Sequence, residues 1–245
     1  MKGRFRLFSC VFLIGLKLLC QNEILVTYKV SNSSVNDSID LSDPIEWQEV
    51  YNEFKNLSFE LYVKGNEATF LGQDKMEHDN NGMYLKLAKL ITEYNSIYYY
   101  NFNCGTVQKG FNAYGEDISI LYDISNFKWK LENEYKIIDV YKCFKASTSY
   151  MVKNEAGVFK KNVTAWYCPE LNFHFGPKGF WGLPGLILEL IDDKNVYYIS
   201  KLQFKDIQRN VIVPEGMLIT ENELENMGFK VRVRREMEYK KQQGR

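Results

Sequence analysis

Apolar and polar positions alternate with a period of two through most of the second half of the chain, which is the spacing of half-buried strands. The pattern predicts strands at 97–102, 118–124, 129–138, 140–149, 158–168, 186–191 and 196–204. Short turns separate these runs, and consecutive strands of this kind indicate an antiparallel meander. Tyrosine and phenylalanine are abundant, with 17 and 16 residues, and aromatic side chains favour strands.

The first half is more mixed. Strands are predicted at 23–30 and 59–70, separated by a polar loop and a helix. Ser42, Asp43 and Pro44 form a good helix start, and the apolar residues that follow at helical spacing are Trp47, Val50, Tyr51 and Phe54. Residues 85–91 fit either period, so their secondary structure stays open.

One hairpin can be predicted in register. Residues 154–157 read Asn-Glu-Ala-Gly, a turn candidate, and centring the hairpin there makes the numbers of paired residues add up to 311. One face then pairs Phe144 with Tyr167 and Ala146 with Ala165. The other face pairs Cys143 with Cys168, Lys145 with Trp166 and Ser147 with Thr164. A slip of one residue would destroy both matched patterns.

The ends of the chain differ from its middle. Lys2, Arg4 and Arg6 precede an apolar stretch at 7–16, the layout of a secretory signal peptide, and Lys17 interrupts it too early for a membrane span. We expect a signal peptide at 1–20, one β-rich domain at 21–219, and a charged helix or tail at 220–245. This last segment begins Thr220-Glu221-Asn222-Glu223, a capping-box pattern. The mature chain is expected to have no transmembrane span.

Export changes the interpretation of the cysteines. Cys104, Cys143 and Cys168 would reach an oxidising compartment, where disulfides form. Cys143 and Cys168 face each other in the predicted hairpin, within bridging distance if they form a non-hydrogen-bonded pair. A disulfide, two inert thiols, and a redox or metal role all remain open for this pair.

The most constrained stretch spans residues 176–191. Gly176-Pro177-Lys178-Gly179 and Leu183-Pro184-Gly185-Leu186 both suit tight turns, and Gly182 lies between them. In the second turn Pro184 presets φ, and Gly185 supplies the positive φ that a type II turn requires. The stretch fixes a backbone path into the strand at 186–191, but offers no nucleophile or base.

These residues also carry a resemblance. The runs Thr164-Ala165-Trp166-Tyr167, Gly176-Pro177 and Gly182-Leu183-Pro184-Gly185-Leu186-Ile187 resemble the GLPGLI family, as do Trp129-Lys130-Leu131 and residues 141–146 upstream. The resemblance implies an exported, β-rich protein, chiefly of Gram-negative bacteria, without an established activity. It implies no catalytic residue. Cys168 stands where the family more often has threonine, so a Cys143–Cys168 bridge would be specific to this chain.

Recognisable catalytic chemistry is scarce. His78 and His174 have no second ligand at metal-binding spacing, and there is no Gly-x-Ser-x-Gly elbow or phosphate-cradling glycine loop. The carboxylate pairs Asp192/Asp193 and Glu132/Glu134 fall at turns or on strand surfaces. We expect no cofactor and no metal. The formal net charge is +0, which gives no reason to expect a nucleic-acid partner.

The sequence therefore predicts a mainly β fold, a curved antiparallel sheet or half-open barrel with one or two packed helices. The aromatic residues Trp129, Trp166, Phe180 and Trp181 are the candidate ligand surface. The hypothesis is a non-enzymatic protein of the periplasm or outer-membrane periphery that binds a lipid-like ligand or an envelope protein. The alternative is an envelope hydrolase whose site uses scattered carboxylates or Cys143.

Overall fold

The computed structural model describes residues 22–33, 45–73, 82–123, 128–154, 157–220, 222–224, 226–228 and 230–231. Within these ranges the strands are β1 (Glu23–Asn32), β2 (Ser58–Lys64), β3 (Glu67–Gly72), β4 (Ile97–Asn101), β5 (Thr106–Ala113), β6 (Glu116–Asp123), β7 (Lys130–Ile138), β8 (Tyr141–Asn154), β9 (Gly157–Cys168), β10 (Leu186–Asp192), β11 (Asn195–Gln203) and β12 (Met217–Ile219). The helices are α1 (Ile45–Glu53) and α2 (Met83–Ile91). The signal-peptide segment 1–20, His78 and residues 232–245 lie outside the described residues.

All of these strands join one open, curved sheet in the order β12-β6-β5-β4-β3-β2-β1-β11-β10-β9-β8-β7. It consists of two meanders, β1–β6 and β7–β11, which meet where β1 pairs with β11. The predicted mainly β, curved sheet is confirmed. One strand departs from the antiparallel expectation, because β12 runs parallel to β6, with Met217 beside Ile118.

The hairpin of β8 and β9 has the predicted register. Phe144 pairs with Tyr167 and Ala146 with Ala165, while Lys145 pairs with Trp166 and Ser147 with Thr164. Some other strands differ from the prediction. Residues 59–70 are two strands, β2 and β3, joined by a turn at Gly65, and β5 was not predicted at all.

The core lies on one face of the sheet, which we call the inner face. Ile24, Val26, Tyr28 and Val30 of β1 alternate into it, and their neighbours on the same strand are only partly buried. The largest fully buried side chains of the core include Trp181, Tyr28, Tyr100, Tyr197, Phe54, Phe59 and Phe70. Aromatic packing of this size supplies most of the apolar burial that stabilises a single domain.

Both helices pack over the inner face. Residues 85–91, left open by the sequence, are helical and lie in α2, whose Ala88 is fully buried. Just after α2, the Tyr94 ring packs edge-on against Phe59 at 5.3 Å between centroids. The Tyr197 hydroxyl of β11 donates to the Thr92 carbonyl at 3.1 Å, which fixes the end of α2 against the sheet.

The opposite, outer face is covered by an extended segment at 204–216. Thr69 of β3 exchanges hydrogen bonds with Ile212, and Gln108 of β5 donates to the Pro214 carbonyl at 3.1 Å. Arg209 bonds to the Glu60 carboxylate of β2 at 3.2 Å. Strand β2 is consequently buried on both faces from Ser58 to Val63.

The chain beyond β12 begins a helix at the predicted capping box. The Thr220 N–H donates to the Glu223 carboxylate at 2.7 Å, and the Glu223 N–H donates back to the Thr220 hydroxyl at 3.3 Å. This reciprocal arrangement satisfies two N–H groups at a helix start. Leu224 and Met227 then pack on Ile118 and Ile120 at the β6 edge.

Candidate functional site

The segment between β9 and β10 crosses the inner face and fills its middle. The Tyr28 hydroxyl donates to the Ile187 carbonyl at 2.6 Å, and the Tyr100 hydroxyl donates to the Gly176 carbonyl at 2.6 Å. Tyr100 also accepts a hydrogen bond from the Gly179 N–H at 2.8 Å. Two buried tyrosines of the sheet therefore hold the constrained segment by its backbone.

The first predicted turn of this segment lies one residue later than expected, and the second has another geometry. In the first, Phe180 N–H bonds to the Pro177 carbonyl, and Lys178 and Gly179 both have positive φ, 54° and 81°, as in a type I′ turn. The type II assignment at 183–186 is wrong. Gly185 has φ 153°, its N–H bonds to Leu183, and Leu186 N–H bonds instead to Leu171.

The predicted aromatic ligand surface divides into three environments. Trp181 is fully buried and stacks on Phe175 at 6.2 Å. Phe180 is also buried and meets Trp129, whose indole N–H donates to the Trp181 carbonyl at 2.8 Å. Trp166 lies on the outer face beneath the Lys136 ammonium. The structure thus brings Trp129, Phe180 and Trp181 together as core, and separates Trp166 from them.

A buried ion pair lies beside this core. Lys178 Nζ is 2.7 Å from Asp192 Oδ2, and both side chains are less than a tenth exposed. The Tyr150 hydroxyl donates to the other Asp192 oxygen at 2.8 Å. Burial by itself lowers the pKa of Lys178, but Tyr197, Glu93 and Asp192 outweigh burial and raise that pKa well above its ordinary value. Lys178 is therefore a charged ammonium at neutral pH.

Glu93 is the second carboxylate near this lysine. It forms an ion pair with Lys109 at 2.8 Å and accepts a hydrogen bond from the Tyr98 hydroxyl. Burial favours a higher pKa for this carboxyl, yet Lys178 and Lys109 dominate and lower its pKa to about 2. The residues of this charged cluster come from β4, β5, β8, β10, β11, the turn after α2, and the 171–185 segment between β9 and β10.

Backbone strain accompanies these charges. Glu93 and Lys178 adopt left-handed φ of 55° and 54°, and Asp193 next to the ion pair has 59°. Such conformations are uncommon for residues other than glycine, asparagine and aspartate. Strained positions persist where surrounding contacts hold them, and they concentrate at functional sites.

An open cleft of about 320 Å³ reaches this ion pair. One wall is formed by Trp47 and Tyr51 of α1, whose rings stack at 6.2 Å, and by Ile91 of α2. The charged and polar lining consists of Asn32, Tyr150, Lys161, Lys178, Asp192, Asp193, Lys194 and Asn195. The volume is at the lower end of small-molecule sites. We call it the inner cleft.

The two facing cysteines are close together at the base of the β8–β9 hairpin. Cys143 and Cys168 are fully buried free thiols, and the Cys143 thiol donates to the Tyr141 carbonyl at 3.6 Å. The register of β8 and β9, continued one residue beyond the pair Phe144–Tyr167, sets Cys143 opposite Cys168.

Burial, with a smaller effect of Cys168, raises the pKa of the Cys143 thiol to about 12. A thiol that stays protonated is a poor nucleophile, which counts against Cys143 as the catalytic residue of a hydrolase. Cys104 is exposed in the turn between β4 and β5.

The other candidate groups are held in separate places. Glu132 and Glu134 both pair with Lys145 at the β7 edge, far from Asp192 along the sheet. The His174 ring nitrogen Nδ1 is 2.7 Å from the Leu183 carbonyl, and its ring lies beside Phe102. Across the described ranges, no group of three or more His, Cys, Asp or Glu side chains could hold a metal ion.

Sequence reasoning missed the residues that form the inner cleft. Lys178 was recognised only as part of a turn, Glu93 was not singled out, and Asp192 was treated as solvated. The sequence contains only a weak signal for these cleft residues. Trp47 and Tyr51 do sit one helical turn apart, and Lys178 is the single charged residue between Phe175 and Leu188, which hints at a special environment.

Comparisons with known proteins identify the fold rather than an activity. The model of a protein family of unknown function, Porph_ging, matches residues 152–189. No curated protein matches the chain. The crystal structure of PNGF-II in space group C2 superimposes with a TM-score of 0.53 at 13% identity, covering 85% of this chain and 33% of that one. The chain therefore corresponds to about a third of PNGF-II.

Two further solved structures superimpose on the chain with lower scores. PNGF-II in space group P21 gives a TM-score of 0.52 at 12% identity, over 84% of this chain and 33% of that chain. The Mycobacterium tuberculosis lipoprotein LppX gives 0.29 at 9% identity, over 78% of this chain and 90% of that chain. Within the described ranges, none of the helices has the length and apolar character needed to span a bilayer.

Proposed function

We propose that this protein is a non-enzymatic binding protein, and that its inner cleft holds a small amphipathic ligand with an apolar body and an anionic head. Its predicted export would place this activity in the cell envelope. The proposal rests on the composition of the cleft, in which an aromatic wall faces a buried cation.

The observation that carries the proposal is the environment of Lys178. An ammonium group has three N–H donors, and among the described residues only Asp192 accepts a hydrogen bond from this one. Lys178 can therefore bind an anionic group without releasing Asp192. A buried ion pair adds little stability over apolar packing, so its position at the end of an open cleft favours a binding role.

The opposite wall suits the apolar part of such a ligand. The Trp47 side chain is 41% exposed although it stacks on Tyr51, and Ile91 continues the same surface. Binding sites commonly combine an apolar lining with a few polar groups that fix the orientation of the ligand. Lys161 and Lys194 add positive charge at the cleft.

Isothermal titration with decanoate and with decanol tests the proposal. The two probes share an apolar chain and differ in the head group, so we expect decanoate to bind roughly tenfold more tightly through its charged hydrogen bond to Lys178. Lys178→Met should abolish that preference, and Trp47→Ala should weaken both probes alike. Lys201→Met and Tyr198→Ala on the outer face serve as matched controls.

Loss of the ammonium leaves Asp192 buried without its partner, which can destabilise the fold. The double variant Lys178→Met/Asp192→Asn removes that charge, and its thermal unfolding shows whether the fold is kept. Equal affinity for decanoate and decanol in the unmodified protein, or an unchanged preference in the folded double variant, would contradict the proposal.

A further inference from the structure

The hairpin of β8 and β9 extends beyond its neighbours as a two-stranded ribbon. Pairing of β7 with β8 ends at Ser147, and pairing of β10 with β9 ends at Val163. Among the described residues, 149–154 and 157–162 therefore have no strand partner but each other, although the Asn162 carbonyl also accepts a hydrogen bond from the Asp193 N–H at 3.2 Å. We call this part the projecting ribbon.

The projecting ribbon exposes apolar side chains on both of its faces. Met151 and Val158 lie on the outer side and are 61% and 60% exposed, and Phe159 lies on the inner side, paired with Val152, and is 46% exposed. A sheet with one solvated face normally alternates apolar and polar residues. Met151, Val158 and Phe159 are left uncovered by the described part of the chain, whereas Tyr150, nearer the core, packs on Phe180 at 6.1 Å.

Positive charge accompanies these apolar residues. The sequence of the ribbon contains Lys153, Lys160 and Lys161 against a single acidic residue, Glu155, in a chain whose formal net charge is +0. Lys161 pairs with Asp193, and Lys160 is exposed. Lys161 and Tyr150 also line the inner cleft, so the ribbon stands beside the entrance to that cleft.

We propose that the projecting ribbon docks on an anionic lipid surface. A lipid interface can accept apolar side chains from both faces of a thin ribbon, whereas a protein docked on one face leaves the other exposed. Lysines beside inserted apolar residues are attracted to anionic headgroups, each by about 1 kcal/mol. The docking surface is independent of the inner cleft, although docking would bring the cleft entrance to the membrane.

The backbone limits how deeply the ribbon enters. Its two strand edges carry N–H and C=O groups that the sheet does not pair, and such edges are not tolerated in the hydrocarbon region. The side chains of Met151, Val158 and Phe159 therefore reach the boundary between headgroups and acyl chains, as interfacial segments do.

Vesicle co-sedimentation tests this inference, using the chain from Gln21 onward, which contains every described residue. We expect binding to phosphatidylcholine vesicles that contain phosphatidylglycerol, with weaker binding to phosphatidylcholine alone or at high salt. The outer pair Met151→Ser/Val158→Ser and the inner pair Val152→Ser/Phe159→Ser should each reduce partitioning roughly tenfold. Lys160→Gln should reduce only the preference for phosphatidylglycerol.

Leu121→Ser/Leu218→Ser is the matched control, because both leucines are exposed on β6 and β12, away from the ribbon. It should leave partitioning unchanged, and urea unfolding verifies that every variant is folded. Failure of the unmodified chain to sediment with either vesicle overturns the proposal. A loss confined to one pair also overturns it, because that result means that only one face of the ribbon contacts the lipid. Decanoate binding is scored separately, so either proposal can fail alone.

Discussion

Strand β2 and the projecting ribbon differ in how far their side chains are covered by the rest of the protein. Both consist of alternating strand sequence, but β2 is buried from Ser58 to Val63 because the core covers its inner face and the 204–216 segment covers its outer face. In the ribbon, Met151, Val158 and Phe159 remain exposed. The difference leads us to expect that core substitutions at the centre of the sheet destabilise the fold far more than substitutions in the ribbon.

The largest expected effect is a loss of stability caused by a substitution at the centre of the sheet. Phe70 of β3 packs against the rings of Tyr28, Phe59, Tyr98 and Tyr197, so Phe70→Ala should lower the free energy of unfolding by about 3–5 kcal/mol. Its counterpart on the ribbon, Phe159→Ala, should change it by about 0.5 kcal/mol or less. Urea denaturation measures both, and similar losses would contradict the comparison.

The next effect concerns the base of the ribbon. Oxidation of Cys143 and Cys168 should close a loop of about 25 residues and stabilise the protein by about 3 kcal/mol on the chain-entropy model. When the chain from Gln21 onward, which lacks Cys10 and Cys20, is treated with oxidised glutathione, a thiol count under denaturant should find Cys104 alone, and Cys104→Ser should show none. Three reactive thiols in the treated protein would exclude the intramolecular bridge.

A smaller loss is expected where the 171–185 segment enters the sheet. A Cβ at Gly185 would lie 2.2 Å from the Cys168 carbonyl oxygen, in addition to the unfavourable φ. Gly185→Ala should therefore destabilise by about 2 kcal/mol or more. Gly115→Ala separates the two causes, because Gly115 has φ 85° with nothing nearby. Equal melting temperatures for the two variants would show that the close contact relaxes freely.

The smallest effect concerns acid stability. The pKa of Glu93 falls from 4.5 to about 2 on folding, since Lys178 and Lys109 overcome the opposing effect of burial. Its contribution is therefore present above about pH 4.5 and is lost as the pH falls towards about 2. Urea midpoints followed over this range should decline less steeply in Glu93→Gln than in the exposed control Glu116→Gln. Parallel declines would argue against the Glu93 contribution.

The parts of the fold that sequence could predict are those set by local rules. The β8–β9 register followed from a turn and matched cross-strand residues, and the Thr220–Glu223 capping box followed from spacing alone. Strand β5 was not predicted because Gly110 interrupts its strand pattern. A Cβ there would lie 2.3 Å from the Pro214 side chain, so the glycine reflects a distant segment that local pattern cannot reveal.

The candidate site was harder to predict than the fold, because its residues meet through contacts that are distant in sequence. Lys178, Asp192 and Glu93 meet only because the 171–185 segment crosses the inner face, and left-handed φ at Glu93 and Lys178 leaves no trace in residue type. The sequence did identify Phe180 and Trp181 as large aromatic anchors. It could not show that the core would bury them and leave Trp47 for the cleft.

The place of β1 in the sheet has a consequence for the order of assembly. Strand β1 pairs on one side with β2, which is synthesised soon after it, and on the other side with β11. Leu25 can therefore pair with Gln203 only after β11 has been synthesised. Contacts so distant in sequence form slowly, because loop-closure entropy opposes them. When only the first meander has been synthesised, the edge of β1 that later pairs with β11 therefore still lacks its strand partner.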